Sequence, residues 1–283
     1  MPGRLHYGTS SWSEKSWVGV FYPDGMPPSD WLSYYATVFD SVEADVTYYR
    51  VPDKKLVDGW AERTPDGFVL AAKFPRSVVH GGDQAQPDGD KVLVPDVVGD
   101  DCKRFLDAMG RLGSKCGPLV LQFPYFNKKA FTSRQPFFDR LDAFLGALPK
   151  SFRYAVELRN KTWITTDALA LLRRHRAALV LVDLLYMPHP ADLHEQLDGE
   201  LDLVTTDFVY ARLIGDRKAV EERTKSFDHI VVDQGSRLDR WAALLRTLLE
   251  NVPEAYVYAN NHYAGHGPAT IKDLVARYEA LAR

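Results

Sequence analysis

The stretch Arg153–Trp163 reads RYAVELRNKTW, and its alternation decides the fold class. One face is apolar with an aromatic and a β-branched residue, and the other face ends in Glu157 and Arg159. Alternation with period two in a short run of this composition predicts a β-strand. Opposite charges at the C-terminal end of such a strand indicate a functional site.

The same pattern recurs along the chain, and nearly every predicted strand is followed by a helical pattern. The predicted strands are Leu5–Ser10, Asp40–Thr47, Phe68–Lys73, Leu119–Phe123, Arg153–Arg159, Ala178–Asp183, Phe208–Leu213 and Ala255–Asn260. Alternating strands and helices imply a parallel sheet with right-handed crossovers. Eight such units in 283 residues predict a single-domain (β/α)₈ TIM-type barrel over residues 1–283. A doubly wound sheet is the alternative, but the first turn lacks a G-x-G-x-x-G motif.

The segments between the strands are predominantly helical. The predicted helices are Asp30–Phe39, Lys54–Arg63, Asp101–Leu112, Phe137–Leu148, Asp167–His175, Leu238–Asn251 and Ala269–Ala282. Arg76–Asp100, after the third strand, contains glycines and prolines and predicts a long lid or binding loop. Tyr186–Leu203 contains two prolines and predicts irregular structure.

Composition narrows the class of protein and of partner. The chain has 46% hydrophobic and 26% charged residues, with a formal net charge of −3. No global basic field favours nucleic acid or an anionic membrane as a partner. No apolar run approaches membrane-spanning length, and Cys102 and Cys116 form no C-x-x-C motif. These features predict a soluble cytoplasmic protein with two reduced cysteines.

Polar residues at the strand ends predict the site. Helix-facing positions of a barrel are apolar, so the polar residues at the C-terminal ends of the strands should face the mouth. By this alternation of strand faces, ten residues should face the mouth of the barrel: Ser10, Glu43, Asp45, Lys73, Gln122, Glu157, Arg159, Asp183, Arg212 and Asn260. Barrel active sites lie at this face, and unpaired buried charges are costly, so the ring predicts function. The alternative is a salt-bridged plug that only closes the barrel.

Several chemistries fit these residues. Glu43 and Glu157 could act as general acid and base, with Lys73 as a further base or a Schiff-base nucleophile. A lysine in this setting more often forms an ion pair with one of the two glutamates. Arg159 and Arg212 could hold a carboxylate or phosphate in two-point contacts. The mixture of charges predicts a small polar or anionic ligand.

The loop Asn260–Pro268 adds a second binding element. Its glycines, and Pro268 near the start of the last helix, predict exposed N–H groups that could bind phosphate. The alternative is an ordinary glycine-rich turn. Trp12, Trp163 and Tyr263 could stack on a sugar, although loop aromatic residues more often cap apolar edges.

A divalent metal is possible but not favoured. Glu43, Glu157, Asp183 and His262 could form an oxygen-rich site for such an ion. The chain contains no H-x-H or H-E-x-x-H motif, and the histidines of the last loop are spaced four apart outside any predicted helix.

Five segments carry a resemblance to one family. They are VEADVTYYRVP (Val42–Pro52), AAKFPR (Ala71–Arg76) with His80, LQFP (Leu121–Pro124), YAVELRNKTW (Tyr154–Trp163) and ANNHYAGHGPA (Ala259–Ala269). In this order they resemble the YecE-like family, a domain of unknown function numbered seventy-two. The resemblance implies a TIM-type barrel loosely related to sugar isomerases. The commonest form of the second-strand motif has Asn where this chain has the anionic Asp45.

The residues and the resemblance together predict a barrel enzyme that acts on a small sugar- or phosphate-bearing substrate by acid–base chemistry, with isomerisation ranked first. Glu43, Lys73 and Glu157 are the predicted proton-transfer residues. The predicted substrate-binding residues are Ser10, Trp12, Asp45, Thr47, Tyr49, Arg50, Gln122, Arg159, Trp163, Asp183, Arg212, Asn260, Asn261 and His262. The alternatives are a metal-assisted phosphoester hydrolase, including one acting on nucleic acid, and a non-catalytic ligand-binding barrel.

Overall fold

A computed structural model describes residues 3–196 and 202–281 of the chain. The strands are β1 (Arg4–Thr9), β2 (Ser41–Ala44), β3 (Val69–Lys73), β4 (Cys116–Gln122), β5 (Tyr154–Glu157), β6 (Ala177–Leu184), β7 (Phe208–Gly215) and β8 (Glu254–Ala259). The helices are α1 (Trp31–Val38), α2 (Lys54–Glu62), α3 (Arg76–Val79), α4 (Pro95–Met109), α5 (Gln135–Ala147), α6 (Thr166–His175), α7 (Pro190–Gln196), α8 (Arg217–Glu221), α9 (Gly235–Leu248), α10 (Asn261–Ala264) and α11 (Gly267–Ala280). Short 3₁₀ helices cover Lys15–Trp17, Asp45–Tyr48, Gly110–Lys115 and Lys161–Trp163.

The strands form one sheet in the order β1-β8-β7-β6-β5-β4-β3-β2. The pairs β1–β8, β7–β8, β3–β4, β4–β5 and β5–β6 are parallel. Each strand is followed by at least one helix before the next strand begins. This alternation confirms the predicted (β/α)₈ TIM-type barrel fold. None of the helices in the described ranges has the length and apolar character needed to cross a membrane.

The residues group into two compact units. The first unit comprises Met1–Glu43, Leu181–Asp198 and Asp207–Arg283, and therefore contains β1, β7 and β8. The second unit comprises Ala44–Val180 and Gly199–Thr206, and contains β3, β4 and β5. Each unit carries its own group of polar strand-end residues.

In the first unit, β1 approaches the start of β2 very closely at Gly8. A Cβ atom at Gly8 would lie 1.9 Å from the carbonyl oxygen of Ser41, so only glycine fits at this position. The hydroxyl of Tyr35 accepts a hydrogen bond from Thr9 N at 2.7 Å and lies 3.3 Å from Ser41 O, to which it donates. A tyrosine hydroxyl thus links the two strands at this point.

The predicted strand Asp40–Thr47 is wrong at its C-terminal end. β2 stops at Ala44, and Asp45–Tyr48 form a 3₁₀ helix, so strand parity does not hold beyond Ala44. Thr47 Oγ1 donates to Lys73 O at 2.7 Å and accepts from Lys73 N at 3.1 Å. This side chain supplies partners for the backbone at the end of β3, where the neighbouring chain has already turned away.

Other boundaries also differ from the predictions. The predicted loop Arg76–Asp100 contains α3 and the first turns of α4, because Pro95 in the first turn is well suited to start a helix there. Within Tyr186–Leu203, predicted as irregular, α7 covers Pro190–Gln196, and residues 197–201 lie outside the described part of the chain.

Candidate functional site

Three neighbouring strands of the second unit end in polar residues. Lys73, Gln122 and Glu157 are the last residues of β3, β4 and β5. Gln122 is the direct register partner of Glu157, and Lys73 is the partner of Val120, two residues before Gln122. All three side chains are buried. The parallel register therefore brings these three predicted residues to one end of the second unit, as the sequence analysis predicts.

Lys73 is held by oxygen atoms on two sides. Its ammonium group forms an ion pair with Asp45, and Nζ donates to Gln122 Oε1 at 3.4 Å. The same nitrogen lies 5.5 Å from the ring centroid of Tyr48. The side chain of Lys73 is 6% exposed and that of Asp45 is 29% exposed. The lysine thus has a carboxylate partner that solvent reaches.

Glu157 is wholly buried, but its charge partner is not. Arg159 follows the end of β5 and turns back, so that its Nε donates to Glu157 Oε1 at 2.7 Å. The side chain of Arg159 is 23% exposed while that of Glu157 is 0% exposed. The arginine therefore separates the buried carboxylate from solvent.

Tyr48 and His80 form a hydrogen-bonded pair beside these charges. The Tyr48 hydroxyl lies 2.8 Å from His80 Nε2. Burial lowers the pKa of His80 to about 4, and the charges of Arg76 and Arg159 act in the same direction. Burial also raises the pKa of Tyr48 above its usual value. At neutral pH this pair is therefore an uncharged phenol and an uncharged imidazole, able to pass or share a proton.

These residues form one group, which we call the Lys73–Glu157 cluster. Its members are Asp45, Tyr48, Lys73, Arg76, His80, Gln122, Glu157 and Arg159. The predicted site residues omit Tyr48, Arg76 and His80. All three lie in or beside the quoted segments, but strand parity assigned none of them, because Tyr48 lies in the 3₁₀ helix and the other two follow β3.

Other residues predicted to bind substrate lie elsewhere in the second unit. Tyr49 is 62% exposed and packs edge-on against Tyr48, and Arg50 is exposed. Trp163 is buried, with its ring centroid 5.0 Å from that of Phe137 and 5.7 Å from that of Phe126. The packing of Trp163 against phenylalanines makes it a core residue of this unit, whereas the sequence suggests stacking on a ligand.

In the first unit, Glu43 is fully enclosed by hydrogen-bond donors. Arg212 Nη2 and Nε lie 2.9 and 3.2 Å from Glu43 Oε1, and the Tyr210 hydroxyl donates to Oε2 at 2.7 Å. Glu43 and Arg212 are 0% and 2% exposed. Burial, together with the Glu43 charge, raises the pKa of Tyr210 well above its usual value. Both carboxylate oxygens of Glu43 are thus occupied in a neutralised network.

Asp183, the penultimate residue of β6, is 1% exposed, and its arginine partner Arg237 is 39% exposed. Its carboxylate accepts hydrogen bonds from Arg237, from Trp241 Nε1 at 2.9 Å and from the Tyr263 hydroxyl at 2.9 Å. His189 Nε2 lies 3.6 Å from the same carboxylate. The wholly buried Tyr263 therefore binds Asp183 and presents no face for stacking on a sugar. This network fastens α9 and α10 to β6.

The Asn260–Pro268 segment is ordered by its own side chains. Asn260 Oδ1 caps α10 by accepting from His262 N at 3.0 Å, and it lies 2.9 Å from His262 Nδ1. Asn261 Oδ1 accepts from Gly267 N at 2.8 Å. The first N–H of α11 is therefore already bonded, against the prediction that this helix start offers it to a phosphate. His262 lies in α10, not in a loop as predicted.

The remaining predicted residues are near the end of β1. Ser10 N donates to Ala259 O at 3.1 Å and so extends the β1–β8 pairing, while its side chain is buried. Trp12 is half-buried, and its carbonyl oxygen accepts from the Tyr22 hydroxyl at 2.5 Å. In these contacts both residues support the backbone of the loop after β1.

Residues 6–282 match the family described as "Protein of unknown function DUF72". The chain belongs to this family. The match confirms the resemblance carried by the five segments, because it spans all of them. No protein of curated function matches the chain.

Two solved DUF72 structures are similar to this chain over nearly its whole length. A DUF72 family protein from Thermotoga maritima is 25% identical, with a TM-score of 0.72 over 99% of both chains. One from Enterococcus faecalis is 19% identical, with a TM-score of 0.70 over 98% of this chain and 96% of that one. A xylose isomerase domain containing protein from Salmonella typhimurium reaches 15% identity and a TM-score of 0.49, covering 88% and 92% of the two chains. That last similarity is too low to inform fold or function.

The residues considered for a metal in this DUF72 chain each have other partners. Glu43 binds Arg212, Glu157 binds Arg159, Asp183 binds Arg237, and His262 Nε2 lies 3.3 Å from Glu221 Oε1. Within residues 3–196 and 202–281, no three His, Cys, Asp or Glu side chains are arranged to hold a metal ion. The donor set as arranged therefore does not support the metal-assisted alternative.

Proposed function

We propose that this DUF72 protein is an enzyme that acts on a small polar substrate by acid–base chemistry at the Lys73–Glu157 cluster. Isomerisation is the reaction that we favour. The observation that carries the proposal is the grouping of a buried lysine, glutamine and glutamate on three adjacent strand ends, beside an uncharged tyrosine–histidine pair. Buried ionisable groups at the C-terminal ends of barrel strands are typical of active sites.

The roles follow from the chemistry of isomerisation. Moving a carbonyl along a sugar requires a base that removes a proton from the neighbouring carbon and donors that stabilise the developing oxyanion. In our proposal Glu157 is the base, and Lys73 and Gln122 donate hydrogen bonds to the substrate oxygen. Glu157 then returns a proton to the adjacent carbon, and the Tyr48–His80 pair donates a proton to one substrate oxygen and accepts the proton released by the other, so every group ends in its starting state. Arg159 must swing away from Glu157 when the substrate binds, which its partial exposure allows.

The predicted proton-transfer role of Glu43 is not part of this proposal. Both of its oxygens accept hydrogen bonds from Arg212 and Tyr210. A carboxylate used in this way would have to break a buried network before it could accept a proton from a substrate. Its role in catalysis remains a prediction from the sequence.

Exchange of carbon-bound hydrogen with solvent tests the proposal. We expect the protein in D₂O to place deuterium into at least one member of a panel of aldoses, ketoses and their phosphates, followed by NMR. Glu157→Gln and Lys73→Met should lower the rate by about a hundredfold or more, since removing a positioned acid or base has effects of that order. Glu222→Gln and Lys128→Met, at exposed positions, are the matched controls.

Two results would contradict the proposal. Binding of a panel member without any exchange or turnover would favour a ligand-binding barrel. Cleavage of a phosphoester that requires an added divalent cation would favour the hydrolase.

We also propose a cytoplasmic location, which rests on the two free cysteines, Cys102 and Cys116. Cell fractionation with an antibody to the protein would test it, and recovery from an oxidising compartment would contradict it.

A further inference from the structure

In the part of the chain that the structure describes, Arg76 is an arginine without a carboxylate partner. It is the first residue of α3, three positions after Lys73. Its Nε is buried and has no hydrogen-bond partner, and within the described ranges the guanidinium forms no ion pair. An unsatisfied buried donor carries a real cost in folding free energy, so a group that bonds to it in the working protein is expected.

Arg159 supplies a second guanidinium with donors to spare. Before substrate binds, its Nε donates to Glu157, and its two terminal nitrogens have no hydrogen-bond partner among the residues that the structure describes. The side chain is partly exposed, so a ligand arriving from solvent can reach these donors. Five N–H donors in a planar fork suit guanidinium groups to oxyanions.

Both arginines lie close enough to the Tyr48–His80 pair for their charges to shift the pKa of each member. Both guanidinium charges act on Tyr48 and on His80, whose side chains lie 2.8 Å apart. His80 carries no charge at neutral pH, so it neither repels nor neutralises an anion there. The Lys73–Glu157 cluster carries three positive charges, from Lys73, Arg76 and Arg159. It carries two negative charges, from Asp45 and Glu157, which leaves an excess of one positive charge.

We propose that Arg76 and Arg159 together bind an oxyanion group of the substrate, a phosphate or a carboxylate, beside the Tyr48–His80 pair. This inference rests on the Lys73–Glu157 cluster being the substrate site. It also replaces the sequence-based pairing of Arg159 with Arg212, because Arg212 is bound to Glu43 inside the first unit. The substrate is therefore an acidic small molecule, such as a sugar phosphate or a sugar acid, and not a neutral sugar.

Titration with simple oxyanions tests this site directly. Inorganic phosphate is followed by ³¹P NMR line broadening, and acetate and phosphate are compared by calorimetry. Arg76→Gln and Arg159→Gln should each weaken binding by about tenfold or more, as expected for losing a charged hydrogen-bond donor. Arg104→Gln, at an arginine 66% exposed in the same unit, should leave binding unchanged. Tighter binding of phosphate would identify a phosphate-bearing substrate, and tighter binding of acetate a carboxylate-bearing one.

Further variants separate this inference from the proposed function. Glu157→Gln removes a negative charge next to Arg159, so it should keep or strengthen phosphate binding even where it abolishes hydrogen exchange. If Arg76→Gln does not fold, Arg76→Lys replaces it. This variant keeps the positive charge but loses the planar guanidinium group, and it should weaken oxyanion binding by a smaller factor than that expected for Arg76→Gln. Failure of both oxyanions to bind the unmodified protein, or equal binding by Arg76→Gln and Arg104→Gln, would overturn the inference. Loss of exchange in Glu157→Gln would leave the proposed function standing in that case.

Discussion

Glu43 in the first unit and Glu157 in the second are both 0% exposed glutamates at strand ends, each bound to an arginine. Their surroundings differ. The arginine of Glu43 is itself 2% exposed, and a tyrosine hydroxyl takes the second carboxylate oxygen. The arginine of Glu157 is 23% exposed. The first pair is closed on every side, whereas the second can be opened from solvent.

The aspartates of the two units differ in their own burial. Asp183 is 1% exposed and accepts from the buried Trp241 and Tyr263 as well as from Arg237, which is 39% exposed. Asp45 is 29% exposed and binds Lys73 at the edge of its cluster. A buried, fully satisfied network fixes packing, and a partly open one retains donors and acceptors for a ligand. Polar residues at the strand ends of one barrel can therefore either fix packing or bind a ligand. The ring of polar residues predicted from the sequence did not distinguish these two roles.

The largest effect that we expect comes from breaking the closed pair. Arg212→Met would leave Glu43 buried without its cation, at a cost of about 3–5 kcal/mol in the free energy of unfolding. Urea denaturation would measure it. Arg159→Met is the matched change in the second unit and should cost less than half as much, because water can replace the lost guanidinium. Equal losses of unfolding free energy in Arg212→Met and Arg159→Met would contradict the proposed difference between Glu43 and Glu157.

Lowering the pH should reduce the free energy of unfolding, because the unfolded chain binds a proton at His80 more readily than the folded protein does. The pKa of His80 in the folded protein is about 4 against 6.5 in the unfolded chain, so the unfolded state takes up a proton first as the pH falls. The stability contributed by the uncharged residue is present above pH 6.5 and is lost towards pH 4. The loss is at most about 3–4 kcal/mol, since one pKa unit corresponds to about 1.4 kcal/mol.

The variant His80→Asn should show a shallower fall in unfolding free energy between these pH values than the unmodified protein. His229→Asn, at a histidine 65% exposed, should retain the full slope. Identical slopes for all three proteins would show that His80 is solvated and open to protonation.

Asp183→Asn should reduce the free energy of unfolding by less than Arg212→Met does. The amide keeps one acceptor oxygen but loses the charge that Arg237, Trp241 and Tyr263 share, and hydrogen bonds to charged groups contribute about 1.5–3 kcal/mol. Thermal and urea unfolding would measure the loss. Asp58→Asn, which breaks an exposed pair with Arg111, should cost much less, because surface ion pairs contribute little to stability. A loss at Asp183 as small as at Asp58 would show that the buried hydrogen bonds of Asp183 contribute little to stability.

The smallest effect is expected at Tyr49. Truncating this exposed side chain to alanine should change the unfolding free energy by no more than about 0.5 kcal/mol and leave oxyanion binding intact. Its neighbour Tyr48 is the control, because Tyr48→Phe removes the hydroxyl bound to His80 and should alter binding. Weakened binding by Tyr49→Ala would restore Tyr49 to the predicted site.

Much of the fold could be predicted from the sequence because strand patterns recur in all eight units and helical periodicity in nearly all of them. Burial on one face alone sets both patterns, so the strand Tyr154–Glu157 was predicted as Arg153–Arg159, within two residues at each end. The errors lie where local chemistry overrides the pattern. The turn after Ala44 and the proline-initiated start of α4 at Pro95 are set by local backbone geometry, and α7 starts at a proline inside a segment predicted as irregular.

The site was only half predictable for a related reason. Parity identified Lys73, Gln122 and Glu157 because they end regular strands. It could not identify Arg76 or Tyr48, which lie beyond strand ends, and it could not distinguish an arginine enclosed by partners from one with donors to spare. Hydrogen-bond partners are a property of three-dimensional neighbours that a single sequence does not contain.

The unfolding free energy of Lys73→Met tests most directly the difference between the enclosed Glu43 network and the more open Lys73–Glu157 cluster. Methionine fills the volume of the lysine. Of the partners that it leaves, Asp45 is 29% exposed and can be solvated, and Gln122 Oε1 loses a hydrogen bond of 3.4 Å. We expect the variant to lose no more than about 2 kcal/mol in urea denaturation, while hydrogen exchange is lost. A loss of about 3 kcal/mol or more, matching Arg212→Met, would contradict the account by making Lys73 part of a structural network like that of Glu43.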